Sequence, residues 1–103
     1  MIDGFMDKFL SFIKNWEDQV RPEHERVVPN LEMVPLTYTK GKRFMRVVYD
    51  NSVVAFVDFN DGSIYKPAGW KAPAKHVRGN IFSNRNGMEA VSDGWIYSIR
   101  YLR

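Results

Sequence analysis

FMRVVYDNSVVAFVDFNDGSIYK, residues 44–66, decides the fold. Phe44–Tyr49 and Val53–Phe59 are rich in β-branched and aromatic residues, and the turn cluster Asp50-Asn51-Ser52 separates them. Asp61-Gly62 is a hairpin signal that feeds a third short strand, Ser63–Lys66. The stretch predicts a three-strand antiparallel meander. Upstream, Glu32–Thr39 adds an edge strand, because Pro35 cannot donate to a central ladder. Downstream, Trp95–Leu102 alternates, with Trp95, Tyr97, Ile99 and Tyr101 on one face, and predicts a final strand.

The N-terminal segment has a different period. Ile2, Phe5, Met6, Phe9, Leu10, Ile13, Trp16 and Val20 recur at three- and four-residue spacing, as one helical stripe requires. Asp3 and Asp7 suit the dipole of its first turns. Pro22 is expected to stop the helix, since Arg21 before it is pushed toward an extended conformation. Residues 22–30 then read as a polar linker bracketed by prolines. The polar face mixes Asp3, Asp7, Glu17 and Asp18 with Lys8 and Lys14, unlike the basic face of a membrane-surface helix. The stripe is expected to pack on the domain's own sheet or on a second copy of the chain, as a homodimer.

Residues 66–81, KPAGWKAPAKHVRGNI, lie between the meander and the last strand. Proline at the start and glycine at the end predict a short helix from Pro73 to Gly79. On it Lys71, Lys75 and Arg78 fall at i, i+4 and i+7 and share a face, while Ala74, Val77 and Ile81 share another. A basic ridge beside Trp70 is expected.

A chain of 103 residues fits one domain, with 1–21 as amphipathic helix, 22–30 as linker and 31–103 as the basic, β-rich part. Its 45% apolar and 26% charged residues are those of a globular chain. There is no cysteine, which excludes disulfides, thiolate zinc sites, iron–sulfur clusters and a cysteine nucleophile. No run approaches the ~20 apolar residues of a membrane span, and the start shows no basic leader or cleavage site, so a soluble, cytoplasmic protein is expected. Residues 1–39 hold four Lys/Arg against seven Asp/Glu, whereas residues 40–103 hold eleven against five. That asymmetry points the second part toward an anionic partner.

Catalytic constellations are poor. His24 and His76 lie in different segments without a nucleophile, a carboxylate pair, metal-ligand spacing or a Gly-rich phosphate loop. No enzyme activity, metal or cofactor is expected. The candidate ligand-binding residues are Lys66, Trp70, Lys71, Lys75, His76, Arg78 and Asn80, with a second basic cluster of Lys40, Lys42, Arg43 and Arg46 at a strand entrance. Lysines and arginines hold phosphates, and a tryptophan face stacks a base.

The segments Tyr49–Asp58, Asp61–Lys66 and Trp70–Ile81 together resemble a family of small tailed-bacteriophage proteins, whose pattern joins a Phe-Val-Asp strand and a Gly turn to Lys, Trp, Pro-Ala-Lys and Arg-Gly-Asn. The ending Tyr101-Leu102-Arg103 is similar too, whereas helix 2–20 stands outside the pattern. The resemblance implies a viral protein in the cytoplasm of an infected bacterium and assigns no catalytic residue. The sequence thus predicts an α+β domain: an N-terminal helix on a four- to five-stranded, mainly antiparallel sheet, with a short helix before the last strand. The leading functional expectation is non-enzymatic binding of single-stranded nucleic acid or a nucleotide. The alternatives are an inhibitor of a host defence protein and an assembly protein dimerising through helix 2–20.

Overall fold

The stripe on the first helix follows the spacing 5-9-12-16-20. The structure, a computed structural model, describes residues 1–100 and places α1 at Phe5–Val27. Phe5, Phe9, Phe12, Trp16 and Val20 are each at most 1% exposed. Phe5 stacks on Phe9 at 5.6 Å between ring centres, and Phe12 meets Trp16 at 5.3 Å. Phe12 joins the stripe although the sequence reading omitted it, while Leu10 and Ile2 face solvent. The stripe is spent on the chain's own sheet, which leaves none of its aromatic rings for a second copy.

Pro22 does not end α1, and residues 22–27 are its last turns, not a linker. Proline costs the helix one hydrogen bond, that from position 22 to the Asp18 carbonyl. Burial outweighs it: Val20 and His24 continue the stripe one turn at a time. Arg21 and Lys14 both pair with Asp18, and Arg26 pairs with Glu23, so the exposed side of these turns is neutralised as well.

The strands are β1 (Leu36–Lys40), β2 (Phe44–Tyr49), β3 (Ser52–Asp58), β4 (Ser63–Pro67) and β5 (Pro73–Asn80), antiparallel in the order β1-β2-β3-β4-β5. The meander and the β1 edge follow the sequence expectation. Gly62 makes the β3–β4 turn at φ +79°, and a Cβ there would lie 2.6 Å from the Phe82 ring. Directly opposed residues point to one face. Met45, Val57, Ile64 and Gly79 form one such row on the inner face, covered by α1. Phe9 also meets Tyr38 of β1 edge-on at 5.2 Å, and the Leu36 N–H donates to Glu17 Oε2 at 2.9 Å.

Two expectations are corrected. Pro73–Gly79 is strand, not helix. A seven-residue helix is too short to repay its own nucleation, whereas β4 offers backbone partners along an antiparallel ladder, with two irregularities in its register. The two prolines oppose each other, Pro67 to Pro73, where the ladder opens and no N–H is needed. The last segment, in turn, forms no sheet strand among the described residues: there it makes a single bridge, Val91 to Ile99. Its alternation still holds in part, since Tyr97 and Ile99 are buried and Trp95 is half-buried against His24. The backbone bonds of this segment go to residues 90–92 instead, from Arg100 N–H to Ala90 O and from Ser92 N–H to Ser98 O. A three-residue 3-10 turn, Met88–Ala90, precedes it. Tyr101, Leu102 and Arg103 lie outside the described residues. No helix among the described residues is long and apolar enough to cross a membrane.

Tyr97 packs between Trp16 and Tyr49, with ring centres at 5.4 and 5.0 Å. Its hydroxyl is buried without a partner among the described residues. Burial, with the Glu17 charge second, pushes its pKa far up. A raised folded-state pKa contributes stability that is complete below the unfolded-state value, about 10, and is lost as pH rises past it.

Two stability measurements check this core. Phe9→Ala should cost about 3–5 kcal/mol in denaturant unfolding, against about 0.5 kcal/mol or less for Leu10→Ala. Tyr97→Phe should keep or raise stability at pH 7, and in urea unfolding from pH 7 to 11 it should lose less stability above pH ~10 than the parent.

Candidate functional site

Among the described residues no helix covers the outer face of the sheet. The row Thr39, Arg46, Phe56, Tyr65 and Val77 runs across it from β1 to β5, and Phe44 opposite Asp58 begins the next row. Phe56 is nonetheless only 1% exposed. Phe44 meets Phe56 edge-on at 5.8 Å and Tyr65 at 5.7 Å. The Arg46 guanidinium lies 5.8 Å from the Phe56 ring centre and closes the cover.

Arg46 also reaches the loop between β4 and β5. Its Nε–H donates to the Trp70 carbonyl at 3.0 Å, so this loop leans across β3 toward β2. The loop is closed by the Ala68 and Gly69 N–H groups, which both donate to Ala72 O. Gly41, in the β1–β2 turn, lets the guanidinium lie close: a Cβ there would stand 3.2 Å from Arg46 Nη1 and 3.0 Å from Phe44 O.

Between this turn and the loop lies a cavity of about 370 Å³. Phe44 and Phe56 form its apolar lining, and Lys42, Arg43, Arg46 and Lys71 form its charged lining. The four cations are not equivalent. Arg43 stacks on Phe44 at 5.1 Å, donates from Nε to Asp58 Oδ2 at 3.1 Å, and its Nη2 forms an ion pair with the same oxygen at 3.0 Å. Asp58 is buried, and its other oxygen accepts the Asn60 N–H at 2.8 Å. Arg43 is thereby neutralised. Lys42, Arg46 and Lys71 have no carboxylate partner among the described residues.

The structure joins part of each cluster that the sequence singled out. Lys42, Arg43 and Arg46 meet Lys71, and Trp70, next to Lys71 in the loop, is half-exposed. The expected ridge of Lys71, Lys75 and Arg78 on one helical face does not exist, because the segment is extended. Lys75 and His76 are exposed on the β5 edge strand. Arg78 turns to the C-terminal segment and donates from Nη1 to Arg100 O at 2.6 Å. Asn80 is structural: its side chain donates to Asp61 O and accepts the Phe82 N–H, and its own N–H donates to Glu89. Lys66 lines a separate cavity beside Tyr97 and Ile99. The sequence reading missed Phe44, Phe56 and Tyr65 as one surface, although the alternation in β2 and the meander register carried that signal.

The fold and this face define a small α+β domain with an aromatic, basic open sheet surface. The chain belongs to a family of unknown function, DUF7717, whose family model matches residues 6–102 and so takes in α1. No curated protein and no solved structure matches it.

The division among the cations can be measured. Arg43→Ala leaves the buried Asp58 carboxylate with only the Asn60 N–H and should cost about 1–3 kcal/mol. Lys42→Ala and Lys71→Ala should each stay within about 0.5 kcal/mol of the parent in urea unfolding.

Proposed function

We propose that the protein binds single-stranded nucleic acid or a nucleotide through the outer face of its sheet, without catalysing a reaction. One observation carries this: among the described residues, three cations with no carboxylate partner line a single cavity together with two aromatic rings, Phe44 and Phe56. Grouped like charges repel one another, and an anion in the cavity relieves that repulsion. Phosphates match both the lysine point charges and the free Nη groups of Arg46. Sheet-face aromatics are a recurrent platform for unpaired bases, each stacked base contributing about 1–3 kcal/mol. The Trp70 side chain, exposed while its carbonyl is held by Arg46, supplies such a platform in the loop that carries Lys71. The resemblance to tailed-phage proteins makes the cytoplasm of an infected bacterium part of the same proposal.

The test is fluorescence anisotropy with a labelled oligothymidylate. The Lys42→Ala/Lys71→Ala double variant should bind at least about ten-fold more weakly at 0.1 M salt, and its log–log salt slope should fall by about 1.4, at 0.7 per lost single-strand phosphate contact. Lys8→Ala/Lys14→Ala on α1 should change neither quantity. Equal binding by the cavity variant and the parent would overturn the proposal. A host-protein complex that survives high salt would then put the inhibitor function in its place.

A further inference from the structure

We infer that the cavity takes a terminal phosphate monoester, at the end of a strand or on a free nucleotide, in preference to the diester backbone inside a strand. The inference rests on the binding proposed above and names the part of the ligand that enters. Size is its first support. At about 370 Å³ the cavity is near the lower end of ligand pockets, about 300–1,000 Å³, which is room for one nucleotide. A strand passing through needs a groove that continues across the sheet. Here the Arg46–Trp70 bond joins β2 to the β4–β5 loop and crosses β3, so the row from Arg46 to Val77 is not an open track.

Charge is the second support. No carboxylate among the described residues lines the cavity, and Arg43 is the one lining cation that pairs with an acid, Asp58. The charges of Lys42, Arg46 and Lys71 are left over. An internal diester brings one negative charge, whereas a monoester carries close to two at neutral pH, its second pKa being about 6. It also offers three oxygens to three separate donor groups. Arg46 is committed at Nε only, so its Nη groups are left to fork onto a phosphate. Lys42 and Lys71, from the two loops that flank the cavity, supply the remaining point charges. Arg46 holds the Trp70 carbonyl, so a phosphate at Arg46 sits beside the loop whose exposed indole is the candidate platform for the attached base.

The experiment compares octathymidylates bearing a 5′-phosphate, a 3′-phosphate or hydroxyls at both ends, by anisotropy, with thymidine 5′-monophosphate as an unlabelled competitor. A phosphorylated end should tighten binding at least about ten-fold at pH 7.5. That advantage should shrink toward pH 5, as the monoester takes up its second proton, while the hydroxyl-ended strand changes little. Lys71→Ala should remove most of the advantage. Competition by the mononucleotide at the same concentration as the phosphorylated strand identifies a free nucleotide as the source, and a preference for one phosphorylated strand identifies that strand end. Salt-sensitive binding that is equal for all three strands overturns this inference and leaves the proposed function standing. Binding of none of the probes overturns both.

Discussion

A single helix can cover only one face of a five-stranded sheet, and the rest of the molecule follows from that constraint. The strands of such a meander carry apolar residues on both sides, so the uncovered side has to be closed without a second layer. On the inner side α1 supplies a column of rings, and the C-terminal segment adds Tyr97 and Ile99. On the outer side the closure is made by the sheet's own side chains. Phe44 and Tyr65 lean around Phe56, and Arg46 lies over it with its apolar stem and flat guanidinium. The residues that finish the fold are therefore the residues that form the cavity.

The same layering explains the charge split in the sequence. Asp3, Asp7, Asp18 and Glu25 belong to the α1 segment, on the inner side of the sheet, and the partnerless cations belong to the outer side. Opposite signs on opposite faces orient an approaching anion toward the cavity. The helix charges are largely satisfied locally. Hydrogen bonds from Lys14 and then Arg21 hold Asp18 below the usual carboxylate range, as expected of exposed pairs one turn apart on a helix. Glu89 is lowered for a different reason. Its burial alone would raise the pKa, but the Asn80 N–H and the Ser83 hydroxyl donate to it and win.

What the sequence made legible was what depends on local periodicity. The meander, the β1 edge and the aromatic stripe could be read because side-chain alternation and turn chemistry act over a few residues. Pro22 and the Pro73–Gly79 segment were misread for one shared reason. Proline and glycine signals are local preferences of about 1–3 kcal/mol, and the tertiary structure overruled them. At Pro22 the overruling term is burial of Val20 and His24 on the stripe; at Pro73–Asn80 it is the backbone ladder that β4 presents. The candidate site was half legible. Composition marked both basic clusters, but which cations meet depends on a register that brings the β1–β2 turn beside the β4–β5 loop. Lys71 and Arg78 are seven residues apart and end in different environments, while Lys42 and Lys71, twenty-nine positions apart, line one cavity.

The contrast between Arg43 and Arg46 shows how the fold keeps some cations for itself and leaves others uncommitted. Asp58 opposes Phe44 in the ladder, and Phe44 lies between the two arginines in sequence, beside Arg43, which pairs with Asp58. Burial makes that carboxylate costly unless it is well bonded, so it pairs with Arg43 and accepts the Asn60 N–H. Asp58 is thereby committed to Arg43, and Arg46 has no carboxylate partner among the described residues. Arg46 instead finds a carbonyl, that of Trp70, which holds its position without cancelling its charge. A carboxylate in that place would have stabilised the loop as well and abolished the site. Holding an arginine by a neutral acceptor keeps it fixed and still charged, which is the combination an anion-binding cavity needs.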